Sequence, residues 1–200
     1  MLSARAQFED NLKRVEELGV LANAVQAMTT VAIDVSDIWR AQIVLAVSAL
    51  DHFIHELTRL GMIESAKGVR TRTDAYLRFG LPLSAVELAL DGQPHEVWVG
   101  ETVRERHSWQ SFQEPDKLAD AIRLISDVKL WEAVGAELGL SASVVKTRLK
   151  LVIDRRNKIA HEADLDPTNP GFRWPMNATL ASDTIHFVDA VSAAVLKACA

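Results

Sequence analysis

The chain has 200 residues, of which 48% are hydrophobic, enough to bury the core of one domain. Its formal net charge of −5 argues against a protein that coats nucleic acid indiscriminately, but leaves a local basic site open. The single cysteine, Cys199, excludes an internal disulfide and a metal site built from several thiolates. The first residues include charges, and the longest apolar run, residues 43–50, is too short to span a bilayer. We therefore expect a cytoplasmic protein with no membrane partner.

Two long helices are expected in the first third of the chain. One lies within residues 1–30, where apolar residues recur at steps of three and four. The other covers residues 36–63, with Ser36 as its N-cap. Because this second helix is apolar on most sides, we expect it to lie at the centre of the fold and to contact several neighbours.

Shorter helices are expected between residues 83 and 138. Asp91-Gly92 is typical of a helix end, and Pro115 suits the first turn of a helix. From such signals we expect helices over residues 83–90, over 96–112, from 114 onward and over 130–138.

The segment 96–112 places aromatic rings beside arginines, among them Arg104, Arg106 and Trp109. Aromatic and guanidinium planes can stack on unpaired bases. The same composition is more often a mixture of core and rim residues, and we favour that interpretation.

A third long helix is expected over residues 141–162. Gly139 suits the turn before it, and Ser141 suits its N-cap. Three prolines then predict a loop over 164–176, followed by a last helix over 180–197. The sequence therefore predicts one all-α domain over residues 1–200. It would be a helical bundle with additional short helices and with the helices over 36–63 and 141–162 at its centre.

The end of the helix over 141–162 combines three side chains that suit phosphate chemistry. At 100° per residue, Arg156 lies about 20° from Val145, in the middle of the apolar stripe. A buried arginine is costly unless it has a partner or faces a site. Asn157 and His161 are four residues apart and share one flank. Arginine binds phosphate oxygens through a planar fork, and histidine transfers protons near neutral pH, so a phosphodiester site is indicated.

Residues 146–158 carry six basic residues and one acidic residue, a local net charge of +5 in a chain of −5. Lys146 and Lys150 are typical of a solvated helix face. The concentration of positive charge beside Arg156 and His161 nevertheless indicates an anion site. RNA or another phosphate ligand fits such a site better than an acidic protein does.

On the helix over 36–63, Asp51 and His55 lie opposite the main apolar face. Two interpretations stay open: a histidine satisfied by a carboxylate one turn away, or a pair that contacts substrate or a partner chain. Together with His52 they could also suggest a metal, but three such residues without further ligands are a weak signal. We expect no metal and no other cofactor.

The string Arg156-Asn157-Lys158-Ile159-Ala160-His161 resembles the motif of the HEPN superfamily: an arginine, usually a polar residue next, and a histidine four to six positions on. The string Leu50-Asp51-His52-Phe53-Ile54-His55-Glu56-Leu57 resembles the companion signature of the RiboL-PSP branch of that superfamily. Residues 111–117 and 127–131 are similar to that branch too. The resemblance covers roughly residues 35–195.

The resemblance implies a HEPN-like bundle that acts as a metal-independent endoribonuclease. HEPN ribonucleases are mostly homodimers in which two copies of the motif form one composite cleft. Many belong to toxin–antitoxin or phage-defence systems, so an antitoxin or defence partner protein is implied as well. The resemblance implies catalytic roles for Arg156, Asn157 and His161. We expect a further four residues to bind substrate or support the catalytic residues: Arg155, Lys158, Asp51 and His55.

As a mechanism, we hypothesise that the ribose 2′-OH attacks the adjacent phosphorus, leaving a 2′,3′-cyclic phosphate and a 5′-OH. His161 would act as general base or acid, and Arg156 would hold the nonbridging oxygens as negative charge builds. Asn157 would orient His161 or the phosphate. Arg155 also fits the motif spacing, but it lies off the apolar stripe, so Arg156 is preferred.

Three alternatives stay open. The chain could be a non-catalytic HEPN module that binds RNA, a nucleotide or a protein. Residues 139–149 could be part of a helix-turn-helix DNA reader, although the helix that follows is long and carries an apolar stripe. In a purely structural interpretation, Arg156 pairs with a buried carboxylate such as Asp51, and His161 is a helix-end cation.

Overall fold

The structure is a computed structural model that describes residues 1–30 and 33–200. Over these residues the protein has nine α-helices and no β-strand, which confirms the all-α class. The helices, in chain order, are α1 (Leu2–Met28), α2 (Ser36–Ala66), α3 (Asp74–Leu77), α4 (Leu83–Leu90), α5 (His95–His107), α6 (Pro115–Arg123), α7 (Leu130–Leu138), α8 (Ala142–His161) and α9 (Ala178–Ala198). The expected single domain includes residues 31 and 32, which lie outside the described residues, and it stays a prediction.

Most helix limits agree with the sequence signals. The helices expected over 83–90 and 130–138 are α4 and α7, with the same limits. Ser141 is the N-cap of α8, where its hydroxyl accepts a hydrogen bond from the Val144 amide at 3.3 Å. Gly139 ends α7 in the left-handed conformation at φ +65°, which glycine adopts without strain.

Two local predictions are wrong. The helix expected over 96–112 ends as α5 at His107, and residues 108–114 form a connecting loop. Ser36 is the first residue of α2 rather than its N-cap, because Val35 occupies the cap position. The Ser36 hydroxyl instead accepts a hydrogen bond from Arg40 at 2.6 Å. The short helix α3 was not expected at all.

The core is organised around α2, which contacts α1, α5, α6, α8 and α9. Its side chains Leu50, Phe53, Ile54 and Leu57 are at most 1% exposed. Burying an apolar side chain of this size contributes roughly 1.5–3 kcal/mol, so this face is a main source of stability.

The helix α8 leaves the core before it ends. Val145, Leu149 and Ile153 are buried, but Ile159 is half-buried and Ala160 is exposed. The expected apolar stripe is therefore fully buried only as far as Ile153, and Arg156 is half-buried instead of lying inside the core. The last two turns of α8 consequently stand at the surface.

Within residues 1–30 and 33–200, the structure has no helix that combines the length and the apolar character needed to cross a membrane.

Candidate functional site

The surface end of α8 is followed by a loop that Asp164 holds in place. The Asp164 side chain is fully buried, and its Oδ2 accepts hydrogen bonds from Arg40 Nε at 2.7 Å and Arg155 Nη2 at 2.8 Å. Its backbone is left-handed, with φ +58°, a conformation that Asp tolerates better than most residues. The Asp164 carbonyl also accepts the Trp174 amide at 2.9 Å, which joins both sides of the loop.

Arg155 belongs to this structural anchor. Besides Asp164, its Nη2 donates to the carbonyl oxygens of Trp174 at 3.3 Å and Pro175 at 2.9 Å. Burial lowers the pKa of the Arg155 guanidinium, and the Asp164 carboxylate opposes that shift. Because Arg155 Nη2 is held by the Asp164 carboxylate and by two loop carbonyl oxygens, its charge is already paired, and Arg155 is less suited than Arg156 to bind a substrate phosphate.

Arg156, the next residue, makes no ion pair in the described part of the chain. Its Nη1 donates to the Asn157 side-chain oxygen at 2.8 Å, and its Nε is buried without a hydrogen-bond partner. A half-buried guanidinium that pairs with no carboxylate can bind an anion through its Nη groups, although the buried Nε cannot be reached from outside. The structural alternative that pairs Arg156 with Asp51 is not what the structure shows, because Asp51 contacts other residues.

His161 lies in the last turn of α8 and its side chain is exposed. At 100° per residue it points about 140° away from Arg156 around the helix, with Asn157 between them. Since the Asn157 oxygen accepts a bond from Arg156, Asn157 orients the guanidinium here rather than the imidazole. The three residues share one end of α8, but Arg156 and His161 do not face one another within one chain.

A concave surface of about 500 Å³ lies beside these residues. Asn157 and Lys158 line it, together with Arg155, Asp154, Glu162 and Trp174, whereas Arg156 and His161 do not. The Lys158 ammonium lies 5.2 Å from the centre of the Trp174 ring, a cation–π distance. The basic cluster is also less free than its sequence suggests: Lys146 pairs with Asp116, and Arg148 covers the Phe187 ring.

Asp51 and His55 lie apart from this end of the molecule. Eleven residues separate Arg40 from Asp51 along α2, which is about 16 Å of helix. The Asp51 carboxylate accepts the Phe112 amide at 2.6 Å and the Gln113 side-chain amide at 3.3 Å. The His55 ring packs 4.5 Å from Phe112 and lies 3.9 Å from Asp51. Within one chain these two residues hold the loop 108–114 and do not meet the α8 motif.

Two residues of the site's framework, Arg40 and Asp164, were missed by the sequence interpretation. Arg40 offered a signal, because it is a buried cation on a helix that is otherwise apolar on most sides. Asp164 offered none, since acids in a proline-containing loop are ordinarily exposed.

In the residues that the structure describes, no three histidine, cysteine, aspartate or glutamate side chains lie close enough to hold a metal ion. Cys199 is buried, and burial raises the pKa of its thiol to about 11, so it is not a reactive thiolate.

Comparisons with known protein families, with curated proteins and with solved structures found no match to this chain. The resemblance to HEPN proteins therefore rests on the sequence strings, and the functional argument rests on the geometry described above.

Proposed function

We propose that the protein is a metal-independent endoribonuclease of the HEPN type, with Arg156, Asn157 and His161 at its active site. The observation that carries the proposal is that the adjacent arginines Arg155 and Arg156 have different contacts. Arg155 is fixed by Asp164, whereas Arg156 pairs with no carboxylate in the described residues and stands at the same helix end as an exposed histidine. A guanidinium and an imidazole are the groups that metal-independent phosphodiester cleavage needs.

In the proposed reaction the ribose 2′-oxygen forms a bond to the adjacent phosphorus while the bond from phosphorus to the 5′-oxygen breaks. The His161 imidazole removes the 2′-OH proton, and water supplies a proton to the leaving 5′-oxygen. Arg156 stabilises the charge on the nonbridging oxygens. The products are a 2′,3′-cyclic phosphate end and a 5′-OH end, so the step needs neither a metal ion nor a cosubstrate.

The active form in this proposal is a homodimer with one composite cleft. Arg156 and His161 point about 140° apart on one helix, so a second copy is the simplest way to bring both groups to one phosphate. Apolar side chains near this end of the molecule support such a contact: Leu151 is 62% exposed, Phe172 63% and Leu165 49%. We further propose a role as a toxin or phage-defence effector that acts with an antitoxin or defence partner protein.

The test incubates single-stranded RNA with purified protein in the presence of EDTA and maps the new 5′-OH ends. We expect cleavage by the wild type and a loss of about 10²–10⁴-fold in Arg156→Ala and in His161→Ala. His186→Ala, which alters an exposed histidine on α9, is the matched control and should keep activity. Cleavage that survives His161→Ala, or that EDTA abolishes in the wild type, would contradict the proposal.

The composite cleft has its own test, in which the Arg156→Ala and His161→Ala proteins are mixed after each has been shown to be inactive. A mixed dimer holds one intact Arg156 and one intact His161 on different chains, so we expect activity to return. An inactive mixture of two variants that exchange subunits would refute a cleft shared between copies.

A further inference from the structure

A second concave surface shares no lining residue with the proposed active site. We name it the Trp109 groove, a space of about 600 Å³ between α3, the end of α5 and α6. The lining residues used here are Arg78, Phe79, Arg106, His107, Trp109 and Lys117. Its volume falls within the range of small-ligand sites, so it can hold a nucleotide.

The charged side chains around this groove are mainly basic. Arg78, Arg106 and Lys117 face one carboxylate, Asp120, which is already paired with Arg123. Lys117 makes no ion pair in the described part of the chain, and Arg78 meets only an exposed Asp74 at 3.9 Å. In a chain with a net charge of −5, this is a local surplus of positive charge that favours an anion.

One of the aromatic side chains that line the groove is exposed to solvent and can contact a ligand. Trp109 is 80% exposed, an unusual position for the largest apolar side chain. It belongs to the loop 108–114, which Asp51 holds through the Phe112 amide. The Arg106 guanidinium lies 5.0 Å from the centre of the Phe79 ring, so a cation and aromatic faces lie together. Such a pattern is typical of surfaces on which unpaired bases stack.

His107 adds a polar group in the wall of the groove. Its residue surface is 5% exposed, and its Nδ1 has no hydrogen-bond partner. Burial, with help from His55 and Arg106, lowers the pKa of His107 to about 4, so the ring is neutral near pH 7. The groove wall therefore contains a buried polar atom without a partner, in a ring that adds no charge near neutral pH.

One side of α8 carries basic and polar residues between Lys146 and the proposed active site. Lys146 bonds to Asp116, the residue before Lys117, at 2.8 Å. Lys150, Asn157 and His161 lie within about 60° of Lys146 around the helix, and Lys146 and His161 are about 22 Å apart along it. Side chains that can contact a single strand therefore lie along one side of α8 between Lys146 and the motif.

We propose that the Trp109 groove binds a single-stranded RNA segment away from the cleavage site, with a base stacked on Trp109 and phosphates bound by Arg78, Arg106 and Lys117. The proposal rests on the proposed function for the identity of the strand as RNA. It assigns to Asp51 and His55 the role of holding the loop that presents Trp109.

The experiment measures binding in the full-length His161→Ala protein, so that cleavage does not interfere. Fluorescein-labelled single-stranded RNA is titrated by anisotropy at several salt concentrations, with thermal melts to confirm folding. Trp109→Ala should weaken binding about 5- to 150-fold, the cost of one lost base stack, whereas Trp109→Phe should keep most of the affinity. Leu90→Ala removes another exposed apolar side chain, 83% exposed, and should leave binding unchanged.

The charge contribution is read from the salt dependence. Arg78→Gln combined with Lys117→Gln should reduce the slope of log affinity against log salt by about 1.4, because each lost phosphate contact in a single strand contributes about 0.7. Arg14→Gln, an exposed arginine on α1, should leave the slope unchanged.

Three outcomes would contradict RNA binding in the Trp109 groove. The first is unchanged RNA affinity in folded Trp109→Ala, and the second is equal affinity for duplex and single-stranded RNA. The third is displacement of RNA by an acidic peptide as efficiently as by unlabelled RNA. The last would assign the groove to a protein partner. Failure of the nuclease proposal is distinct from these, because it shows as absent cleavage by the wild type while Trp109-dependent binding persists.

Discussion

The helix α2 anchors a loop at each of two points, and the two anchors have opposite charges. Near its beginning, Arg40 binds Asp164, which is fully buried between two arginines and fixes the loop after α8. Eleven residues later, half-buried Asp51 accepts one backbone amide and one side-chain amide and fixes the loop 108–114. Each of these two polar side chains on the apolar helix α2 therefore fixes one loop. The residues proposed to contact RNA lie in these loops or next to them.

The largest expected effect is that of Asp164→Ala. The substitution leaves Arg40 buried without its carboxylate and frees Arg155, so we expect a loss of about 3–5 kcal/mol in the free energy of unfolding. Urea denaturation measures it. Glu162→Ala, an exposed acid two residues earlier, should change stability by less than about 0.5 kcal/mol. Equal stabilities of the two variants would show that the anchor does not hold the loop.

Features that are set by residues close together in the chain could be predicted from the sequence. The limits of α4 and α7 and the Ser141 cap follow from signals within a few residues: proline, glycine, a hydroxyl and apolar spacing. The all-α class follows from the sum of such signals. These features are local, so no knowledge of distant contacts is required.

The errors occur where distant residues decide the local structure. The segment 108–114 has no strong helix breaker, yet it is a loop because Asp51, 61 residues earlier, accepts the Phe112 amide. The role of Arg155 depends on Asp164, whose other partner Arg40 is 124 residues away. Helix geometry preferred Arg156 to Arg155 because Arg155 lies off the apolar stripe, but the contacts of Arg155 with Asp164, Trp174 and Pro175 could be seen only in the folded chain.

The second effect concerns pH and the loop that Asp51 holds. The pKa of buried His107 is lowered to about 4 from an ordinary 6.5. Between these values the unfolded chain binds a proton that the native protein does not, so stability falls as the pH drops from 6.5 towards 4. From pH 7 to 4.5 we expect this group to remove about 2–3 kcal/mol. In His107→Gln the loss over the same interval should be smaller by that amount, as measured by urea denaturation; parallel pH profiles would contradict the assignment.

The third effect tests the weaker of the two anchors. Asp51→Ala leaves the Phe112 amide without its acceptor, so we expect a loss of about 1–3 kcal/mol in the free energy of unfolding. Asp51→Asn keeps a side-chain oxygen and should lose less. Amide exchange should accelerate in residues 108–114 and stay unchanged in the loop after α8. Faster exchange in both loops would mean that the two anchors are not independent.

The smallest expected effect is that of Arg156→Met, which is compared with the same substitution at the adjacent Arg155. Arg155→Met removes donors to Asp164, Trp174 and Pro175, so it should cost about 1–3 kcal/mol in the free energy of unfolding. Arg156→Met keeps an aliphatic stem and removes a guanidinium whose Nε already lacks a partner, so stability should change by no more than about 0.5 kcal/mol. Thermal and urea denaturation of both variants provide the measurement. A large loss for Arg156→Met would make Arg156 a structural residue, and the difference between the two arginines that supports the proposed active site would disappear.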